Sequence, residues 1–393
     1  MKRVLILGGA GAIGSRTIGA ALACSAAHEI VVADLSLDAA AKAAAHHPGR
    51  AVPLQLDVFD ETALRAAMRG VDAVLNCAGP FYRTSLPCLK AAIAEKRIYL
   101  DVCDGWDTTR EALALDGAAR EAGIPAVIGL GASPGITNLL ARIAAAELDR
   151  CDEIVTGVNL DPGAPVGGVG APGRAVHWLR QLGGEVEVWR GGKRAPVDAL
   201  QILRLDLPGT GARALHLIGH PEPLTLPRTL GGLADASHVL ALDRAEAALA
   251  EGLSERVAAG KLTPDRAAQM VAEPGRRPLD LRLRVLAAGL GRRRTDTPPL
   301  FAYAAGMRHG RRRRVAAWIT RLPQGGAAGA AAAALAVGME LALLHRMNRN
   351  GVSAPEDIVD PHVFFEEFAA AATPRGTAPS PLIQIASDEE VTA

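Results

Sequence analysis

Three glycines with a fixed spacing, followed by one acid, are the first residues in this chain that could do chemistry. Gly9, Gly11 and Gly14 form G-x-G-x-x-G, with Ala10, Ala12 and Ile13 between them, directly after the apolar run 3–7. Asp34 lies twenty residues beyond the third glycine. A lone match to the glycine pattern is weak. A strand before it, a helix-compatible segment after it and an acid at this distance make it the dinucleotide fingerprint. Gly9 permits the tight turn, Gly11 lets the backbone approach a pyrophosphate, and Gly14 lets the helix pack on the sheet. The helix then points its N-terminal N–H groups at the phosphates. Asp34 can accept both hydroxyls of the adenosine ribose. Leu35 and Ser36 follow it, with no arginine for a 2′-phosphate, so NAD is expected over NADP.

Further candidates fall where later strands should end. Asp57 and Val58 are placed to flank an adenine, and Asn76, Ala78, Gly79 and Pro80 to meet the nicotinamide ribose. Asp101 and Asp104 are the expected proton acceptors or ammonium partners, with Tyr82 the next catalytic candidate. Arg83 can clamp a carboxylate, and Ser133 with Asn138 can hold an anionic group at a strand-to-helix turn. His177 completes the expected substrate set. Each has a plainer reading beside it. Asp57, Asp101 and Asp104 could be turn or cap residues, Arg83 a solvated charge, and His177 and His216 structural histidines. Cys103 reads as a small buried residue rather than a nucleophile. No metal is expected.

These residues need elements to position them. Apolar runs at 3–7, 29–33, 51–56, 73–75, 98–100 and 126–128 alternate with helix-compatible segments such as 60–68 and 108–122. Strands alternating with helices imply right-handed crossovers and a parallel sheet buried on both faces. The expected fold is therefore α/β, a Rossmann-type doubly wound sheet over residues 1–135. A second, α+β domain for substrate and oligomerisation is expected over 136–345, covering the cofactor site. Within it, 155–160, 185–189, 194–197, 203–207, 281–286, 300–307 and 311–319 read as strands, with Gly191-Gly192 as a hairpin turn. The segments 172–181, 230–259 and 263–271 read as helices. Residues 346–393 are expected to return to the first domain.

Composition narrows the function classes. The chain has 393 residues, 49% hydrophobic and 22% charged, with a formal net charge of +1. That balance argues against a coat for nucleic acid or anionic membrane, and against disorder. Five cysteines without a C-x-x-C pair point to no disulfide framework, no zinc site and a reducing cytoplasm. Met1-Lys2-Arg3 before an apolar run imitates a signal peptide, but the glycine motif accounts for that run better. The alanine-rich stretch 327–344 reads as a tightly packed helix rather than a membrane span. Thirteen arginines against Asp280 and Asp296 in 276–321 read as a solvated face, since the aromatic platforms of single-strand binders are missing. The expected partners are a small-molecule substrate and a second copy of the chain, with no nucleic acid and no membrane.

Taken with the glycine loop, Asn76-Cys77-Ala78-Gly79-Pro80-Phe81, Tyr99-Leu100-Asp101 and Gly131-Ala132-Ser133-Pro134-Gly135-Ile136-Thr137-Asn138 resemble the saccharopine dehydrogenase-like oxidoreductases. Gly351-Val352-Ser353-Ala354-Pro355-Glu356 is similar to that family's closing G-V-x-x-P-E signature. The resemblance implies hydride transfer at C–N bonds of amino acids or polyamines, as in saccharopine reductases, carboxynorspermidine dehydrogenases and lysine 6-dehydrogenases. Ala33-Asp34-Leu35 looks most like the NAD-using lysine 6-dehydrogenases. One departure stands out: the late helix opens with Pro323-Gln324-Gly325-Gly326, where relatives tend to show Ala-Thr-Gly. Two rival functions share the cofactor module, a reductase of C=C or C=O bonds in a specialised metabolite and a non-catalytic NAD-binding regulator.

Overall fold

A computed structural model describes residues 2–159, 179–289, 296–347, 349–372 and 382–389. The chain divides into two compact units, Met1–Leu139 with Arg321–Leu382, and Leu140–Thr320 with Ile383–Ala393.

In the first unit, β1 (Arg3–Leu7), β2 (Glu29–Asp34), β3 (Ala51–Gln55), β4 (Ala73–Asn76), β5 (Ile98–Asp101) and β6 (Pro125–Val127) are all parallel. Their order is β3-β2-β1-β4-β5-β6, and a strand from far down the chain, Gly351–Ser353, adds beside β6. Val4, Leu5, Ile6 and Leu7 are wholly buried, as an unbroken apolar run between two helical layers must be. The order reverses beside β1, so the connections that follow β1 and β4 leave toward opposite faces of the sheet, and the crevice between them is where doubly wound sheets bind ligands. The crossovers are α1 (Gly14–Ala23), α2 (Leu37–Ala44), α3 (Glu61–Arg69), α4 (Phe81–Ala94), α5 (Trp106–Leu113) and α6 (Asp116–Ala122). Ser36 and Asp60 start α2 and α3 by accepting the backbone N–H groups of Ala39 and Ala63. The helix expected over 108–122 is broken into α5 and α6. Helix α7 (Ile136–Ala146) spans the division between the units.

The alanine-rich segment corrects the expected boundary at 345. Helix Gly326–Leu343 groups with the first unit, where its almost uniformly small apolar surface packs mainly against α1 and also meets β5. A Cβ on Gly338 would stand 2.1 Å from Leu130 Cδ2 and 2.9 Å from Leu100 Cδ2. Residues 346–393 also divide: Gly351–Ser353 joins the first sheet, whereas the strand Ile383–Glu389 pairs in the second unit.

The second unit is built on β7 (Arg150–Asn159), β8 (Glu185–Arg190), β9 (Lys193–Asp198), β10 (Ile202–Leu207), β11 (Gly211–Leu217), β12 (Asp235–Ala241), β13 (Leu300–Arg308) and β14 (Arg311–Ile319). The sheet runs β10-β11-β12-β7-β13-β14 and closes with Ile383–Glu389. Only β12 and β7 pair in parallel among its described strands. Two expectations fail here. Part of the expected helix 230–259 is the strand β12, central and buried. The expected strand 281–286 lies inside helix Leu279–Gly289, whose Leu281 is buried against a neighbouring helix while Leu279, Leu283 and Leu286 face solvent. Leu-Arg alternation imitated a strand. Among the described residues of the arginine-rich region, Arg276 pairs with Glu273, Arg284 with Glu251 and Glu255, Arg308 with Asp149, Arg311 with Glu389, Arg312 with Asp152, and Arg314 with Asp206 and Asp388.

Candidate active site

The glycine turn is closed by its own backbone. Gly9 N–H donates to Ala33 O at 2.9 Å and Gly11 N–H to Gly8 O at 3.0 Å. A Cβ on Gly14 would sit 2.2 Å from Gly8 O, and one on Gly8 would sit 2.6 Å from Ala78 Cα. Both neighbours are backbone and cannot yield. Gly8 was not singled out in the sequence, although its doubling with Gly9 was a signal. Gly11 and Ala12 are exposed and Ile13 is half-buried. Helix α1 begins with neither a side-chain cap nor an acidic residue in its first turn. Ser15 and Arg16 N–H already donate to Gly11 O and Ile13 O, so the N–H groups of Ala12, Ile13 and Gly14 are the ones that suit an anion from outside the helix. A cradle too tight for side chains, ending in open donors, fits a dinucleotide pyrophosphate.

Asp34 ends β2 half-buried, and its carboxylate accepts Ala10 N–H at 3.1 Å and Ser36 N–H at 3.3 Å. It is thereby fixed at the rim of the glycine turn. Leu35 beside it is 67% exposed. Asp57 is exposed and accepts Phe59 N–H at 2.9 Å, a turn-forming bond, with Val58 half-buried next to it. Asn76 is buried at the end of β4. Its amide donates to Tyr99 Oη at 3.1 Å and accepts Ala78 N–H at 3.0 Å, which shapes the turn through Gly79 and Pro80. On the first turn of α4, Tyr82 is half-buried. Arg83 is exposed, with its guanidinium 5.2 Å from the Phe59 ring centroid. A cation over an aromatic face joins the β3 and β4 loops here.

Asp101 requires a correction. It is 1% exposed, and it accepts Gly129 N–H at 2.8 Å, Cys103 N–H at 3.1 Å and Tyr99 O–H at 2.9 Å. Burial pushes its carboxyl above the usual range, against the pull of those donors. A carboxylate enclosed this way ties the end of β5 to the Gly129 turn and is not presented to a substrate. Asp104, three residues on and half-buried, is left as the aspartate at this strand end that reaches the surface. Burial raises the Cys103 thiol far above its ordinary value and Cys77 to about 12, so neither is a thiolate.

Asn138 is corrected in the same way. Wholly buried, it accepts Gly135 N–H at 2.8 Å and donates to Glu356 at 2.9 Å. That bond ties the Gly131–Asn138 run to the closing Pro355-Glu356. Ser133 is half-buried and its hydroxyl accepts from Thr137 at 3.2 Å. His177 lies outside the described residues.

A second polar cluster escaped the sequence reading. His220, Glu222 and His238 are all buried, with His220 Nδ1 2.5 Å from one Glu222 oxygen and His238 Nδ1 3.3 Å from the other. Thr156 Oγ1 stands 2.8 Å from His238 Nδ1. The signal was hidden because His238 belongs to β12, which reads as helix. The ligand set suits a metal but the geometry does not. The two rings are stacked, 4.1 Å apart and 17° from parallel. A cation must lie near the plane of each imidazole it binds, and near-parallel stacked planes share no such point. The cluster is instead a buried carboxylate hydrogen-bonded to His220, with His238 beside it and bonded to Thr156.

Against known proteins, residues 4–127 match the family model described as the saccharopine dehydrogenase NADP binding domain. The fold is similar to saccharopine dehydrogenase (L-Glu forming) from Saccharomyces cerevisiae, at 15% identity and a TM-score of 0.61, over 94% of this chain and 96% of that one. Pen from Bacillus thuringiensis overlaps 32% of this chain and 49% of its own, at 18% identity and a TM-score of 0.28. A short-chain dehydrogenase from Streptomyces avermitilis overlaps 32% and 64%, at 16% identity and a TM-score of 0.27. The glycine cradle and the strand order thus lie in a segment, residues 4–127, that matches the saccharopine dehydrogenase NADP binding domain, within a chain whose fold is similar to that of the yeast enzyme.

Proposed function

We propose that this protein is an NAD-dependent oxidoreductase acting at the C–N bond of an amino-acid-like substrate. The observation that carries the reading is the glycine cradle at the switch point of the sheet, with Asp34 fixed at its rim. The matching family model is described as NADP binding. Asp34 nevertheless favours NAD, since a carboxylate facing a 2′-phosphate is a like-charge contact costing several kcal/mol. No arginine follows it within residues 35–38 to offset that cost.

When bound, the nicotinamide supplies the hydride acceptor or donor. Everything else falls to the chain. Oxidising an amine needs its neutral form, and Asp104 is the group proposed to take that proton. Arg83, exposed and oriented by Phe59, is proposed to hold the substrate carboxylate. Asn76 and Asp101 fix the loops between them from below.

The reading demands both charges on the substrate. L-lysine, its decarboxylated diamine and its deaminated acid are to be compared with NAD. Losing either charged group should cost far more than the roughly 10–200-fold that one methylene is worth in an apolar pocket. Equal rates on the amino acid and on the diamine would refute the role of Arg83, and no rate on any amine would refute the C–N assignment.

A further inference from the structure

We propose that Arg16 is a binding residue for the pyrophosphate of the dinucleotide, seated for that purpose by Gly325; the inference rests on the cofactor reading above. Arg16 lies in the first turn of α1, two residues past the third glycine. Side chains on a helix lean toward its N-terminus, which here means toward the glycine turn. Accordingly Arg16 Nη1 donates to Ala12 O at 2.7 Å, inside the G-x-G-x-x-G loop itself, and the side chain remains exposed to solvent. A phosphate on the N–H groups of that loop comes within reach of the guanidinium.

The other half of the observation is on the late helix. Gly325 precedes helix Gly326–Leu343 with φ +92°, a conformation that L side chains avoid. A Cβ there would lie 2.5 Å from Arg16 Nε and 3.1 Å from its Cδ. Gly325 therefore leaves the space the arginine occupies. Neither helix start carries an acidic residue in its first turn that would neutralise the guanidinium. Among the described residues, no ion pair engages this cation beside the phosphate cradle. Forked N–H donors match a pyrophosphate oxygen pair better than a point charge would.

The test is calorimetric titration of wild type, Arg16→Gln, Arg16→Lys and Gly325→Ala with NAD, NADP, ADP-ribose and adenosine. Arg16→Gln should weaken NAD and ADP-ribose about tenfold, equivalent to about 1.4 kcal/mol, and leave adenosine unchanged. Arg16→Lys should recover part of the loss, and Gly325→Ala should weaken the same two ligands by moving the guanidinium. Unchanged melting temperatures for the Arg16 variants would separate binding from folding. Equal NAD affinity in wild type and Arg16→Gln overturns this inference alone. So does a loss confined to NADP, which would reassign the arginine to the 2′-phosphate, or a loss that includes adenosine. A wild type that binds none of the four overturns the cofactor reading as well.

Discussion

Substituting Asp101 separates a strut from a base, because alanine and asparagine break different things. One carboxylate oxygen, Oδ1, accepts both backbone donors, Gly129 N–H and Cys103 N–H; the other, Oδ2, accepts the Tyr99 hydroxyl. Asp101→Ala strands two buried N–H groups, at about 1–3 kcal/mol each, or about 2–6 kcal/mol together. With about 2.1 cal/mol/K of unfolding entropy per residue over 393 residues, that lowers the melting temperature by roughly 2–7 °C. Asp101→Asn keeps an oxygen for both N–H groups and turns an NH2 toward Tyr99. The hydroxyl can accept that donor together with Asn76 Nδ2, and still donate to Ser85 O, 3.3 Å away. One amide hydrogen is left over, so Asn should cost about 1–3 kcal/mol, no more than half of what Ala costs. As a general base, by contrast, Asp101→Asn would lose about 10²–10⁴-fold in turnover. Thermal unfolding and steady-state rates on the two variants decide the matter. A stably folded Asp101→Asn with turnover down a hundredfold or more would refute the strut.

Other outcomes follow from the same geometry. Asp34→Ala should weaken NAD and relieve NADP, narrowing a wild-type preference of about a hundredfold, as about 2.8 kcal/mol of like-charge cost implies; Kd values for both cofactors check this, and equal wild-type affinities contradict it. Gly14→Ala drives a Cβ into Gly8 O and should cost about 1–3 kcal/mol of stability along with NAD binding. Gly11→Ala, 3.2 Å from the same oxygen, should fold normally and lose binding alone, as melting curves with and without NAD would report. The His220–Glu222–His238 cluster sets an acid limit on stability. Burial holds His238 down to about 3, and Glu222, despite its burial, is kept below the usual carboxylate range by the two histidines. Both folded pKa values are depressed, so the unfolded chain binds more protons and stability is lost as pH falls from about 6.5 toward 3. The slope should approach 1.4 kcal/mol per pH unit for each group that titrates. Denaturation midpoints at pH 7 and pH 4 should converge in His238→Asn; an unchanged difference would clear the cluster of that role.

The first sheet was legible because its strands have no polar alternation, and buried parallel strands are the structures that read that way. Even their ends were close: the run 98–100 became β5, Ile98–Asp101. The glycine loop and Asp34 were equally readable, since their spacing is set by cofactor geometry. Side-chain roles were not. Asp101 and Asp104 are equivalent in sequence, and only the three donors around Asp101 show that it faces inward. Asn138 looked like an anion ligand until its partner Glu356 arrived from 218 residues away. In the second unit, Asp235–Ala241 follows and precedes helix formers, and its strand character comes from pairing with β7 and β11, which no local window contains. Arg16 went unremarked for the same reason, because Gly325 approaches it from the far end of the chain.

The central claim is that a nicotinamide dinucleotide on the glycine cradle exchanges hydride with a C–N bond. The direct measurement follows cofactor absorbance with wild-type protein, offering amines with NAD at alkaline pH, then the corresponding imines with NADH, then neutral carbonyl and enoyl compounds. Steady turnover on an amino-acid-like amine or imine, with none on the neutral compounds, is the expected result. Turnover confined to the carbonyl or enoyl compounds would contradict it.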